Sequence, residues 1–219
     1  MKFFEDGKIP KIPNMYFIYG DGGTGKTSLV KQFVGHKLLF SFDLSSDVLI
    51  GDKNVDVVIF EQQDAANIQG IVEQMIVRAI ANPKYQVIVL DNVTALQNLV
   101  LANINDSKDN RQNYQALQLW FRALGTTLKE SGKTVYSTAH QLDNGTAGLN
   151  NDGRFMADMN EKTFNAYTSM FDLVGRIYLK DGVRMIDLNP ELGNHTKNRL
   201  DTRKLIKADE LIKSEKGEK

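Results

Sequence analysis

The chain has 219 residues, 42% of them hydrophobic and 25% charged, with 27 Lys plus Arg against 27 Asp plus Glu. That length holds one α/β domain with a full core and crowds two; the balanced charge lends no support to a nucleic-acid partner, yet leaves room for a local basic face. The absence of cysteine excludes disulfides and thiolate metal sites, and no apolar run approaches a membrane span.

In chain order, residues 1–13 read as a short arm closed by Pro10 and Pro13. Its acids and prolines stand where a signal peptide would carry an apolar core, which predicts a cytoplasmic protein. An apolar run over 15–19 leads into Gly20-Asp21-Gly22-Gly23-Thr24-Gly25-Lys26-Thr27, a fit to G-x-x-x-x-G-K-[ST]. Leu29, Val30, Phe33 and Val34 follow at helical spacing as far as Gly35, so the motif lies between a strand and a helix. Residues 38–43 predict a buried strand ending in an acid, and 55–60 a second one before Glu61-Gln62-Gln63-Asp64. Ile68, Ile71, Val72, Met75, Ile76, Ala79 and Ile80 mark a helix stopped by Pro83. Residues 87–90 predict another strand, followed at once by Asp91. Val93, Leu96, Leu99 and Val100 suggest a helix that runs out in a polar loop over 103–110.

Tyr114, Leu117, Phe121, Leu124 and Leu128 outline a strongly periodic helix ending at Gly132, with Tyr114, Trp120 and Phe121 read as its core side. Residues 134–139 predict a fifth strand. Residues 142–160, rich in Gly, Asn and Asp, predict a long surface loop. The stretches 172–179 and 183–188 flank Lys180-Asp181-Gly182, a hairpin signal through its Asp-Gly pair. From Leu205 the chain is charged and reads as a fraying helix. The expected fold is α/β: a mostly parallel sheet with helices on both faces and a C-terminal antiparallel hairpin. It divides into an arm over 1–13, an ATPase domain over 14–200 and a tail over 201–219.

The loop chemistry has a physical reason at each position. Glycines let successive N–H groups turn inward on an anion, and the helix starting near Gly25 adds its positive end. Gly20, Asp21, Gly22, Gly23, Thr24, Gly25, Lys26, Thr27 and Ser28 are the candidate nucleotide contacts. Lys26 is placed to reach the β- and γ-phosphates, and the Thr27 hydroxyl to ligate Mg²⁺. The plainer reading, a glycine-rich turn that happens to carry a lysine, leaves the flanking strand and helix unexplained. Asp91, ending an apolar strand, suits the second element on the Mg²⁺ side; a helix cap for the next segment is the alternative. The pattern implies a nucleoside triphosphate, taken as ATP.

Val-Ile-Val-Leu-Asp-Asn-Val-Thr-Ala-Leu, residues 87–96, resembles the strand and turn of RecA-type recombinase cores. TVYSTAHQ, residues 134–141, resembles their next strand, which makes Gln141 the γ-phosphate sensor and puts His140 where those proteins usually have Asn. The loop 142–160 then falls at their second DNA-contacting loop, and 103–110 near the first. Thr196-Lys197-Asn198-Arg199 resembles the finger that reaches a neighbouring subunit's nucleotide, with Lys197 and Arg199 as its cations. The likeness covers roughly 14–200 in element order and is greatest to small phage-encoded RecA-like ATPases that assist single-strand annealing and recombination.

One departure matters: the recombinases' general-base Glu aligns with Ser45. Hexameric replicative helicases carry their acid two residues earlier, and Phe40-Ser41-Phe42-Asp43-Leu44-Ser45 places Asp43 there, with Glu61 as fallback. Asp43 as an ordinary strand-end acid is the competing reading. The plainer reading of Lys197 and Arg199 is solvated charges, the commonest fate of such residues. Arg154-Phe155-Met156 pairs a cation with an aromatic, as single-strand DNA contacts do, or anchors the loop. His140 reads as a hydrogen-bonded strand-end residue, and three scattered histidines make no metal constellation. The resemblance implies an ATPase that binds MgATP and single-stranded DNA and self-associates into a ring or filament with ATP at the interface. A single-strand-binding protein is a further implied partner, and the host cytoplasm the location for a phage protein. The alternatives are a ring-forming helicase-like motor or helicase loader, and a nucleotide-gated binding protein with weak hydrolysis.

Overall fold

The computed structural model describes residues 3–104, 110–145, 154–190 and 194–212. The first half runs β1 (Met15–Gly20), β2 (Lys37–Ser41), β3 (Val55–Ile59), α1 (Ile68–Ala81), β4 (Val87–Asp91) and α2 (Val93–Asn103). The second half runs α3 (Asn110–Glu130), β5 (Thr134–Ala139), β6 (Gln141–Asp143), β7 (Phe155–Ala157), α4 (Glu161–Thr168), β8 (Leu173–Lys180), β9 (Val183–Asp187), β10 (Lys197–Asn198) and β11 (Leu205–Lys207).

Runs such as VIVLD and MYFIYG are apolar at nearly every position, which suits strands covered on both faces. They lie parallel in the order β3-β2-β4-β5-β1-β8, so that β1 and β4, which end in the loop and in Asp91, are separated only by β5. β9 and β11 extend the sheet antiparallel beyond β8, and β10 pairs with the start of β8. The β8–β9 turn holds Asp181 and Gly182 at φ 50° and 77°, the paired positive values a two-residue hairpin requires and an Asp-Gly pair supplies.

Period-two alternation sorts the strand residues between two cores. Met15, Phe17 and Tyr19 face the layer of α1 to α4, where the Phe17 ring meets Phe164, Tyr167 and Phe171 edge-on. Tyr16 and Ile18 face the opposite core with Leu29, Val30, Phe33, Ile206 and Leu211.

The mostly parallel sheet and the hairpin are as expected, but the helical cover is uneven. All four α-helices pack in one core, and the other face carries short 3-10 segments, Thr27–Gln32 and Ser46–Leu49. The helix expected to start near Gly25 is thus a six-residue 3-10 turn beginning at Thr27. The stretch 142–160 is not loop throughout: β6 and β7 pair across it, and Ala157 and Met159 are buried. α4 escaped notice because it is only eight residues long, although Asn160 caps it by accepting from the Thr163 N–H at 3.2 Å. The charged tail gives a strand at β11, because Ile206, Ala208 and Leu211 bury while the charges between them stay outside. Tyr114 is exposed; Phe121 is fully buried. Residues 105–109 of the first expected loop, 146–153 of the second and 213–219 of the tail lie outside the described residues.

Candidate nucleotide site

The loop leaves β1 at Gly20, where an added Cβ would stand 2.3 Å from the Ile177 carbonyl oxygen of β8; only glycine allows the two backbones so close. Gly25, at φ 95°, turns the chain into Lys26. The Lys26 ammonium folds back on its own loop, donating to the Gly20 and Asp21 carbonyls at 2.8 Å each. Lys26 is only 7% exposed, and burial pulls its pKa down against the opposing pull of Asp91, Asp21 and Asp43. The Tyr136 hydroxyl donates to the Lys26 carbonyl at 2.8 Å and ties the loop to β5.

Asp91, 2% exposed, accepts from the Thr27 hydroxyl at 2.7 Å and from the Thr138 hydroxyl. Burial raises its pKa, opposed by those two hydrogen bonds. A buried carboxylate aimed at the loop is costly unless a cation shares the site. Thr27 and Asp91 offer hard oxygens, a donor set that fits Mg²⁺, which keeps several waters and takes its remaining ligands from phosphates. Among the described residues there is no group of three or more His, Cys, Asp or Glu side chains placed to hold a metal.

Asp43 lies just beyond β2, opposite the loop. Its Oδ1 accepts from the Ser45 N–H at 3.1 Å and the Ser45 hydroxyl at 2.5 Å, and its Oδ2 from the Asn92 amide. Leu44 between them takes φ 61°, which turns Asp43 and Ser45 inward together. A cavity of about 380 Å³ is lined by Lys26, Thr27, Asp43, Asp91, His140 and Arg184, with glycines 22, 23 and 25 of the loop and Ser28. Thr24 donates its hydroxyl to the Asp21 carbonyl and braces the loop. Glu61 instead joins Asp64 in a capping box at the 3-10 helix Gln62–Asn67.

Gln141 bridges outward. Its Nε2 donates to both Asp21 carboxylate oxygens at 3.2 and 3.3 Å, while its Oε1 accepts from Arg176 Nε at 2.6 Å. Arg176 lies over the Phe155 ring at 3.4 Å, and Arg154 over the same ring at 4.7 Å while pairing with Asp143. Phe155 is therefore already stacked on two guanidinium groups. Lys197 donates to the Thr168 carbonyl at 2.8 Å, and burial, reinforced by Arg199, lowers its pKa to about 8. Arg199 is exposed. Both stand at the starting ends of the strands: Lys197 pairs with Val174, and Val174 with Phe17, whereas the loop follows Gly20 opposite Ile177. Three strand positions, roughly 10 Å, separate those levels.

The sequence reading missed Arg184, Asn92 and Thr138. Arg184 of β9 packs on the loop, its Nε 3.0 Å from where a Gly25 Cβ would sit, and its side chain makes no hydrogen bond or ion pair among the described residues. No short motif marks a residue that arrives from a strand 160 positions later in the chain. Asn92 was visible as a neighbour of Asp91; its double role, capping α2 through Ala95 and holding Asp43, required the fold.

Fold and loop together define a P-loop nucleotide-binding protein. The chain belongs to the AAA domain family, whose model matches residues 12–200, and it is a P-loop ATPase domain that binds ATP. No curated protein sequence matches it. Among solved structures, a KaiC-like protein from the hyperthermophilic archaeon Pyrococcus horikoshii aligns at TM-score 0.48 and 14% identity, covering 80% of this chain and 78% of that one. No described helix is long and apolar enough to cross a membrane.

Proposed function

We propose that the protein is a Mg²⁺-dependent RecA-like ATPase that binds single-stranded DNA and supports recombination or annealing, acting from an assembly with ATP between subunits. The observation that carries this reading is Gln141. It contacts the phosphate loop through Asp21 and the β6–β7 ribbon through Arg176 and Phe155, so a change at the loop has a route of contacts to that ribbon.

In this reading Lys26 leaves the Gly20 and Asp21 carbonyls for the β- and γ-phosphates, and Asp91 with Thr27 holds Mg²⁺. Bound there, Mg²⁺ supplies charge that offsets the phosphate oxygens. Asp43 takes a proton from the attacking water as the water oxygen bonds to the γ-phosphorus and the bond to the β–γ bridging oxygen breaks. Arg199, exposed and too far from its own loop, serves a neighbour's nucleotide, while Lys197 is engaged in capping α4. Hydrolysis measured with and without single-stranded DNA, across salt, tests this. Stimulation that fades as salt rises supports it; hydrolysis indifferent to DNA moves the protein to the helicase-loader class. Arg199→Ala should spare ATP binding and cut hydrolysis alone; normal hydrolysis by that variant sinks the finger.

A second reading, a nucleotide-gated binding protein that hydrolyses weakly, is favoured by one observation. Both Asp43 oxygens already accept hydrogen bonds from Ser45 and Asn92. Turnover with DNA present separates the two.

A further inference from the structure

Asn92 Oδ1 is committed, because it accepts the Ala95 N–H at 2.9 Å as the cap of α2. That fixes the amide orientation and leaves Nδ2, which carries only protons, facing two neighbours: Asp43 Oδ2 and, at 3.2 Å, His140 Nε2. Both must accept. A carboxylate always can, but an imidazole nitrogen accepts only when bare, which demands the neutral ring with its proton on Nδ1. The His140 backbone is pinned as well, its N–H donating to the Thr94 hydroxyl at 3.0 Å.

We propose that His140 is a positioning residue for Asp43, acting through Asn92: its bare Nε2 takes one amide proton and so aims the other at the carboxylate. This rests on the reading of Asp43 as the group that directs water. Protonating Nε2 replaces an acceptor with a donor that faces the Asn92 donor. The Asn92 amide then loses the acceptor that aims its other proton at Asp43 Oδ2, an oxygen 3.9 Å from the ring. Loss of the bare nitrogen therefore lowers hydrolysis while leaving the phosphate loop intact. The charged groups facing His140 across the cavity are Asp43, Asp91, Lys26 and Arg184, with Asp158 joined to its carbonyl through the backbone.

Two measurements on the full chain test this. The first is the ¹⁵N spectrum of the imidazoles without nucleotide, His140 being assigned by its loss in His140→Gln. The Nδ1–H tautomer is expected in the neutral ring and should disappear in Asn92→Ala; an Nε2–H ring overturns the proposal. The second is steady-state hydrolysis, with nucleotide binding followed in parallel. His140→Ala removes the acceptor and should lower kcat about fivefold at unchanged KM, and His140→Gln, which keeps an acceptor oxygen, should restore part of that loss. Equal kcat in His140→Gln and His140→Ala, or a change in KM in place of kcat in His140→Ala, overturns it. The expected tautomer in a protein that binds ATP without hydrolysing it upholds the clamp and overturns the ATPase reading instead.

Discussion

The two ends of the parallel sheet treat their carboxylates in opposite ways. At the starting ends, Asp56 of β3 gathers Lys84 Nζ at 2.5 Å, the Tyr85 hydroxyl at 2.8 Å and His36 Nε2 at 3.1 Å. Those hydrogen bonds, that of Lys84 foremost, hold its carboxyl well below the usual range. At the finishing ends, Asp91 is buried with two hydroxyls and raised instead, while Lys26 nearby is lowered by the same burial. Around Asp56 the starting end is electrostatically settled and serves the fold, although burial lowers the pKa of Lys197 there. The other keeps an acid and a base in costly surroundings, a state that a triphosphate and a cation would relieve. Strain and unsatisfied charge mark the end that binds.

The largest expected effect breaks the unsettled end at its cation. Lys26→Ala removes two charge-assisted phosphate contacts, each worth about 1.5 to 3 kcal/mol, so ATP affinity should fall at least about 100-fold by titration. Circular dichroism and melting should change little, since the ammonium binds only loop carbonyls. Next comes Asp91→Asn. A carboxylate raised by burial costs the fold stability at neutral pH, and that cost vanishes as pH falls below its native pKa. The nucleotide-free variant should therefore melt higher at neutral pH, by about 1 kcal/mol or 2 to 4 °C, with the gap closing in acid. It should also lose any Mg²⁺ dependence of ATP binding.

Much of this contrast could be read in advance. The loop from Gly20 to Thr27 and Asp91 were legible because they are local patterns, a glycine-rich turn and a strand ending in an acid, and the sheet followed from continuous apolar runs alternating with helical ones. What stayed hidden depends on register. Thr138 touches Asp91 only because β5 lies between β1 and β4, and Leu142 and Asp143 meet Met156 and Phe155 only in the antiparallel β6–β7 ladder. Arg184 is the extreme case, reaching Gly25 through the β8–β9 return. It also sharpens the comparison, being a cation at the binding end without a partner among the described residues. Being exposed, it is screened, so Arg184→Ala should weaken ATP binding only about threefold at low salt, and less as salt rises. An effect that salt leaves unchanged would show that the guanidinium acts by shape and not by charge.

The smallest effect tests the settled end. Asp56 is about one-third exposed, so solvent screens its pairs and discounts their value. Asp56→Asn should cost about 0.5 kcal/mol at neutral pH, a fall of 1 to 2 °C in melting temperature. The sign is the reverse of Asp91→Asn. A depressed carboxylate contributes stability above its unfolded pKa and loses it as pH falls through the native one. The wild-type advantage should therefore persist at neutral pH and fade well below pH 4, the ordinary carboxylate range. Both variants thus approach the wild type in acid, one from above and one from below. If Asp56→Asn instead raised the melting temperature, the network would be a second strained site, and the division of labour between the two ends of the sheet would fail.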